Sequence, residues 1–224
     1  MNHTTLILGA SRGIGLELAR QALAAGERVI ATARTDAGLT MLRELGAQAL
    51  KLDVADPASV SGLTWQLDGE KIDTAWHVAG VTCSHADATQ PPTQQEFDRV
   101  MHANVLGAMQ VIPQVAPLVE AAQGHYAFIS SVMGQIGGVA DGNAWLYRVS
   151  KAALNMAVAS ARHVYPQATF VCLHPGWVQT DMGGGAAPVT VADSAAGLRR
   201  VVSGLTQADN GAYIQYDGQR FSSW

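Results

Sequence analysis

The chain has 224 residues, 48% hydrophobic and 14% charged, which is enough apolar side chain to fill one large α/β domain. A net charge of -4 without a dense Lys/Arg cluster argues against partners that are nucleic acid or an anionic membrane surface. No stretch approaches the ~18 apolar residues of a membrane span, and Cys83 and Cys172 stand far apart, outside any metal-ligand spacing.

The N-terminus shows no leader pattern, and the cysteine usage suits a reducing compartment. A soluble cytoplasmic protein without a metal is the expectation. Thr4 to Leu8 is a short β-prone run, followed by Gly9-Ala-Ser11-Arg12-Gly13-Ile14-Gly15 and then by Ile14, Leu18, Ala22 and Leu23 at helical spacing. Strand, glycine turn and helix in that order suit a pyrophosphate: the missing Cβ atoms let the backbone approach it, and the helix N-terminus supplies free N–H groups. The spacing Gly-x-x-x-Gly-x-Gly differs from the commoner Gly-x-Gly-x-x-Gly dinucleotide fingerprint. Arg28 to Ala33 reads as the second strand, with Arg34 at its end, where NAD-binding folds place an acid for the ribose 2′-hydroxyl. An arginine there suits a 2′-phosphate, with Arg12 as a second candidate, so NADP(H) is preferred. NAD(H) stays possible through Asp36.

Leu39 to Leu45 reads as a helix and Gln48 to Leu52 as the third strand. Asp53-Val54 at its carboxyl end faces the ligand crevice, where the acid accepts from an adenine amino group or serves as a turn residue. Pro57 to Leu67 reads as one helix capped by Asp56. Ile72 to Val78 is the fourth strand, and the small pair Ala79-Gly80 lets a ligand ring lie against the backbone. The polar loop from Thr82 to Pro92, with His85 and Asp87, carries no assigned chemistry. Thr93 caps a helical region running to about Ala122, in which Pro113 and Pro117 predict a kink or a break. His125 to Ile129 is the fifth strand, and the hydroxyls of Ser130 and Ser131 at its end can donate to a carbonyl oxygen. A glycine-rich stretch then reads as a flexible loop walling a substrate site, with Trp145 as an apolar contact. Thr169 to Leu173 is the sixth strand, Val191 to Leu205 the last helix and Ala212 to Tyr216 the seventh strand.

Tyr147 and Lys151 lie four residues apart in a helix read from about Trp145 to His163, so phenol and ammonium share a face. A lysine one turn away is expected to bring the phenol pKa down from ~10 toward the working range.

In this order of elements the chain resembles the short-chain dehydrogenase/reductase (SDR) family. The carriers are Gly9-x-x-x-Gly13-x-Gly15, Asp53-Val54, His77-Val78-Ala79-Gly80, Asn104-Val-Leu-Gly107, Ser130-Ser131, Tyr147-x-x-x-Lys151 and His174-Pro175-Gly176-Trp177-Val178-Gln179-Thr180-Asp181. The last two segments look closer to the C-factor-like branch than to ketoacyl reductases. The fourth-strand motif departs from the family's Asn-Asn-Ala-Gly, and His77 is expected to be a structural, hydrogen-bonded histidine.

The resemblance implies a single-domain Rossmann-like, doubly wound, mostly parallel seven-stranded sheet with helices on both faces over residues 1–224. It implies catalytic roles for Asn104, which kinks its helix and anchors a proton relay, and for Ser131, Tyr147 and Lys151. It implies cofactor contacts from Gly9, Ser11, Arg12, Gly13, Ile14, Gly15, Arg34, Asp53, Val54, Ala79, Gly80, Tyr147, Lys151, Pro175, Gly176, Val178 and Thr180. Ser131, Trp145 and Trp177 are substrate candidates. The implied activity is NADPH-dependent, reversible reduction of a small carbonyl compound to an alcohol, by a homodimer or homotetramer. The branch takes its name from a bacterial developmental signal, which implies a second role: an NADP(H)-binding regulatory or intercellular signalling protein with incidental activity.

Overall fold

Thr4 to Leu8 is buried along its whole length, as a strand must be when both faces of its sheet are covered. A computed structural model describes residues 3–83 and 86–224, so His85 lies outside the described residues. The strands are β1 (Thr4–Leu8), β2 (Arg28–Ala33), β3 (Gln48–Lys51), β4 (Thr74–His77), β5 (His125–Ile129), β6 (Thr169–His174) and β7 (Ala212–Gln215). Between them run the helices α1 (Gly13–Ala24), α2 (Asp36–Glu44), α3 (Pro57–Ser61), α4 (Leu63–Gln66), α5 (Gln94–Met101), α6 (Gly107–Ala121), α7 (Trp145–Ala161) and α8 (Val191–Ser203). All seven strands pair in parallel in the order β3-β2-β1-β4-β5-β6-β7, so the sheet is wholly rather than mostly parallel. The chain winds outward from β1 on one side and restarts at β4 on the other. That reversal opens a crevice at the carboxyl ends of β1 and β4.

Leu18, Ala22, Leu42 and Leu198 cover one face of the sheet from α1, α2 and α8. Leu63, Val111, Val115, Leu154 and Val158 cover the other from α4, α6 and α7. No helix among the described residues is long and apolar enough to cross a membrane.

Several boundaries differ from expectation for local reasons. The helix expected from Leu39 starts at Asp36, because the Thr35 hydroxyl caps it by accepting from the Gly38 N–H at 3.2 Å. The helix expected over 57–67 is two, α3 and α4, meeting at Gly62. β4 starts at Thr74, after Asp73 has turned its carboxylate to the Thr4 N–H at 2.8 Å. Pro113 and Pro117 do not break the helix that contains them. α6 runs through both, held by Val111, Val115 and Val119, which are buried against the sheet. The interruption falls earlier, in a π-helical turn at His102–Leu106 that joins α5 to α6. The glycine-rich stretch after β5 is also more ordered than a flexible loop: it forms 3-10 turns at Val132–Gly134 and Ile136–Gly138, and the Ile136 N–H donates to the Trp224 carbonyl at 3.1 Å.

Gly107 begins α6 directly beneath β3's following turn, and a Cβ there would sit 2.6 Å from the Val54 carbonyl oxygen. Both backbones are fixed by core packing. Gly107→Ala is therefore expected to cost about 1–3 kcal/mol, the overpacking range. A lower urea midpoint at unchanged slope would register it.

Candidate active site

The crevice brings the turn after β1 against the end of β4. Gly9 has φ +91°, and a Cβ on it would lie 2.8 Å from the Ala79 nitrogen, so this close approach requires glycine. Its N–H donates to the Thr32 hydroxyl at 2.9 Å, which ties the turn to β2. α1 then begins at Gly13 with no side-chain cap, so its first N–H groups and positive dipole end remain available to an anion. Ser11 packs on Gly38, Ile14 on the α1 side of the core, and Gly15 is buried. Thr180 meets this turn from the opposite side, its methyl 3.4 Å from where a Gly13 Cβ would stand. The glycine turn and the segment from Pro175 to Thr180 thus form two walls of one cleft.

The charged residues at the rim are arranged unequally. Arg34 is exposed just past β2 and makes no hydrogen bond or ion pair among the described residues. Arg12 is bridged to Asp181 at 3.2 Å across the cleft. Asp36, the alternative ribose acceptor, is engaged with Lys51 at 3.1 Å in the first turn of α2. Asp53 acts as a turn residue, its carboxylate accepting from the Ala55 N–H at 3.0 Å, while Val54 is buried beneath Gly107.

Deeper in, the carboxyl end of β5 meets α7. Ser130 is turned into the core and donates to the Asn155 side chain at 2.6 Å. Ser131 accepts from the Met133 N–H at 3.2 Å, and its hydroxyl lies near enough to the Tyr147 phenol to pull the phenol pKa downward. Lys151, 4% exposed, donates to the Ile129 carbonyl at 2.9 Å, and its ammonium lies 5.6 Å from the Tyr147 ring centroid. Asn104 sits in the π-turn with its side chain consumed. It accepts from the Val81 N–H at 2.7 Å and donates to the Val81 carbonyl at 2.9 Å and to Ser150 at 3.0 Å. Gly80 passes between it and Lys151. Pro175 accepts from the Ser194 hydroxyl at 2.7 Å, Gly176 has φ +86°, and Val178 is buried.

The expected lowering of the phenol pKa is not what burial produces here. Desolvation pushes Tyr147 up to about 12, against a smaller downward pull from the Ser131 hydroxyl. The same desolvation pushes Lys151 down to about 8. Tyr147 is therefore a protonated phenol at neutral pH, held beside an ammonium that is still mostly charged.

Residues 3–189 match the short chain dehydrogenase family. The chain belongs to that family. The C-signal protein of Myxococcus xanthus is 39% identical over 144 residues, covering 63% of this chain and 84% of the relative, in keeping with the C-factor-like branch. Among solved structures, the carbonyl reductase Sniffer of D. melanogaster superposes with a TM-score of 0.91 at 28% identity, covering 100% of both chains. The NADPH-bound carbonyl reductase from chicken fatty liver gives 0.88 at 28% identity, covering 100% of this chain and 99% of its own.

This short-chain dehydrogenase carries two side chains at the site that sequence patterns did not single out. Met182, 44% exposed, brings its sulfur to 3.9 Å from the Tyr147 hydroxyl. Tyr213, on β7, donates its hydroxyl to the Ser131 carbonyl. Neither stands in a motif, and only their place on segments that return to the crevice could have drawn attention. Trp177 is 57% exposed with its indole N–H on the Gly183 carbonyl at 2.7 Å, and Trp145 is half-buried at the start of α7.

His77 replaces the first asparagine of the family motif, and the expectation of a hydrogen-bonded histidine is corrected. It is 1% exposed, stacks on Phe128 with ring centroids 5.6 Å apart, and neither ring nitrogen has a partner among the described residues. Desolvation, with Lys151 adding repulsion, pushes it down to about 3. The unfolded chain binds this proton below its ordinary value near 6.5 while the folded chain refuses it, so stability falls as pH drops from about 6.5 toward 3. His174, pushed down to about 4 by burial, adds to the same acid limb. Between pH 7 and pH 5, His77→Asn should spare about 2 kcal/mol of the stability lost by the unsubstituted chain. Urea unfolding at the two pH values checks this, and equal losses in both proteins would contradict it.

Proposed function

We propose that the protein is an NADP(H)-dependent oxidoreductase that reduces a small carbonyl compound to an alcohol, reversibly, with Tyr147 as general acid/base. The observation that carries this reading is the Lys151 ammonium 5.6 Å from the Tyr147 ring centroid on α7, with Ser131 beside them where β5 ends.

The residues present fit a dinucleotide phosphate. A Cβ at Gly9 would fill the approach to the β4 backbone, and Arg34 is a cation without an internal partner. In this reading Gly9, Ser11, Gly13, Ile14 and Gly15 hold the pyrophosphate, Arg34 and Arg12 the 2′-phosphate, and Asp53 and Val54 the adenine. Ala79, Gly80, Lys151, Pro175, Gly176, Val178 and Thr180 hold the nicotinamide half. NAD(H) is the weaker fit, because Asp36 already neutralises Lys51. Bound there, NADPH would supply the hydride for the carbonyl carbon.

Ser131 donates a hydrogen bond to the carbonyl oxygen, the position where negative charge develops, and keeps its proton. Tyr147 transfers its phenolic proton to that oxygen as it becomes an alkoxide, a far stronger base. A phenol with a pKa of about 12 is fully protonated for this direction at neutral pH. Lys151 stabilises the phenolate that remains, and Asn104 anchors the relay that restores its proton. In the reverse direction Tyr147 must begin deprotonated, so alcohol oxidation should rise with pH. Trp145, Trp177 and Met182 give the substrate apolar contacts. We further propose a single-domain cytoplasmic protein that assembles as a homodimer or homotetramer.

A second reading is favoured by one finding, the 39% identity to a protein named C-signal. It makes the chain an NADP(H)-binding signalling or regulatory protein with incidental activity. NADPH binding without turnover on benzaldehyde, acetophenone, a quinone and aliphatic aldehydes would favour it.

Tyr147→Phe should keep NADPH affinity and lose at least ~10²-fold in turnover, the lower range for general acid–base catalysis. Retained turnover would overturn the mechanism. Arg34→Ala should weaken NADPH about tenfold, the loss of one charge-assisted contact, and leave NADH within about twofold. Energy transfer from tryptophan to bound nicotinamide reads both affinities.

A further inference from the structure

The segment after β7 folds back on the sheet and reaches the active site from behind. Gly218 N–H donates to the Gln215 carbonyl at 2.9 Å, and Gln215 N–H to the Gln219 carbonyl at 2.7 Å, which makes a tight reversal. Arg220 then pairs antiparallel with Ile214, and the Phe221 N–H donates to the Tyr213 carbonyl at 2.9 Å. This return path lays two aromatic rings on Tyr213. Phe221 lies 4.4 Å away between centroids, and Trp224 stacks at 5.8 Å with planes 14° apart.

Tyr213, so held, reaches across β6 and donates its hydroxyl to the Ser131 carbonyl. The same carbonyl accepts from the Gly134 N–H at 2.7 Å. Two donors on one oxygen fix the plane of the peptide that follows Ser131. The backbone that sets the direction of its Cβ is thereby fixed as well. The returning segment also grips the substrate-side turns directly. Ile136 N–H donates to the Trp224 carbonyl at 3.1 Å, and the Gln135 side chain donates to the Ser223 carbonyl at 3.3 Å.

We propose that Tyr213 is a positioning residue for Ser131, and that Trp224 clamps Tyr213 and the 132–138 turns into one rigid wall of the substrate site. This rests on the reading of Ser131 as the carbonyl donor. Among the described residues, Tyr213 is the side chain that holds the Ser131 backbone, so the aim of Ser131 depends on a strand two places away in the sheet and on the aromatic ring of Trp224 stacked behind it.

The test uses the full chain with three substitutions. Tyr213→Phe removes only the hydroxyl and leaves the stacked ring. Trp224→Ala removes the stack, and Trp224→Phe restores an aromatic ring at this partly buried position against the core. Turnover is read on the most active aldehyde or ketone of the panel, and amide hydrogen exchange is followed in residues 132–138 and in the glycine turn 9–15. Tyr213→Phe and Trp224→Ala should lower kcat at least about tenfold, below the roughly hundredfold that a 1 Å misplacement costs. The substrate KM should change less than kcat, and NADPH affinity should stay within about twofold. Exchange should accelerate in 132–138 and not in 9–15, and Trp224→Phe should recover both measures. Unchanged kcat in both variants overturns the positioning role even if exchange accelerates. An unsubstituted protein that binds NADPH and reduces no carbonyl overturns the reductase reading instead. In that case accelerated exchange in 132–138 supports the clamp, and unchanged exchange overturns it.

Discussion

The burial of one ammonium group sets the electrostatics of the cleft between β5 and α7. Lys151 is almost wholly removed from water, and among the described residues its hydrogen-bond partner is one backbone carbonyl, that of Ile129. A cation in that position is costly, and its neighbours are those that tolerate it. Gly80 leaves room beside it, Cys172 stays a thiol, and His77 stays neutral. The charge that remains unsatisfied is available to stabilise a negative charge formed nearby. Tyr147, whose ring lies under the ammonium, is the group placed to form one.

Burial also decides the resting state of the proton. A lysine near a tyrosine favours phenolate, whereas removal of water favours phenol, and in this site the second effect is larger. The protein therefore stores a proton on the tyrosine and an unspent positive charge beside it. Both suit a reaction in which an oxygen gains negative charge and then a proton. In the proposed mechanism the same arrangement opposes the reverse reaction until the phenol is ionised.

Most of the architecture could be read from the chain because its signals were local. Short β-prone runs, glycine turns and capping residues fell at intervals that a doubly wound sheet accommodates. The failures were tertiary. Pro113 and Pro117 looked like helix breakers, but buried valines on α6 outweigh their lost hydrogen bonds. His77 looked like a residue that would find a partner, and its aromatic stacking on Phe128 carries no sequence signature. Met182 and Tyr213 reach the site from segments whose local pattern says only loop and strand. Side chains that act at a distance along the chain leave no trace in spacing.

The π-turn at His102–Leu106 has a consequence for how this chain can change. A π-turn amounts to one residue inserted into an α-helix. Removing a single residue there would let α5 and α6 fuse into one regular rod and would turn everything upstream by about 100°. Asn104 would swing away from Val81, and the strand end that carries Gly80 would lose its anchor. Substitutions at this point alter one side chain, whereas a one-residue deletion re-registers half the crevice. The length of this turn is thus held more rigidly than its composition, and drift in the lineage should run through residue identity and not through insertions or deletions.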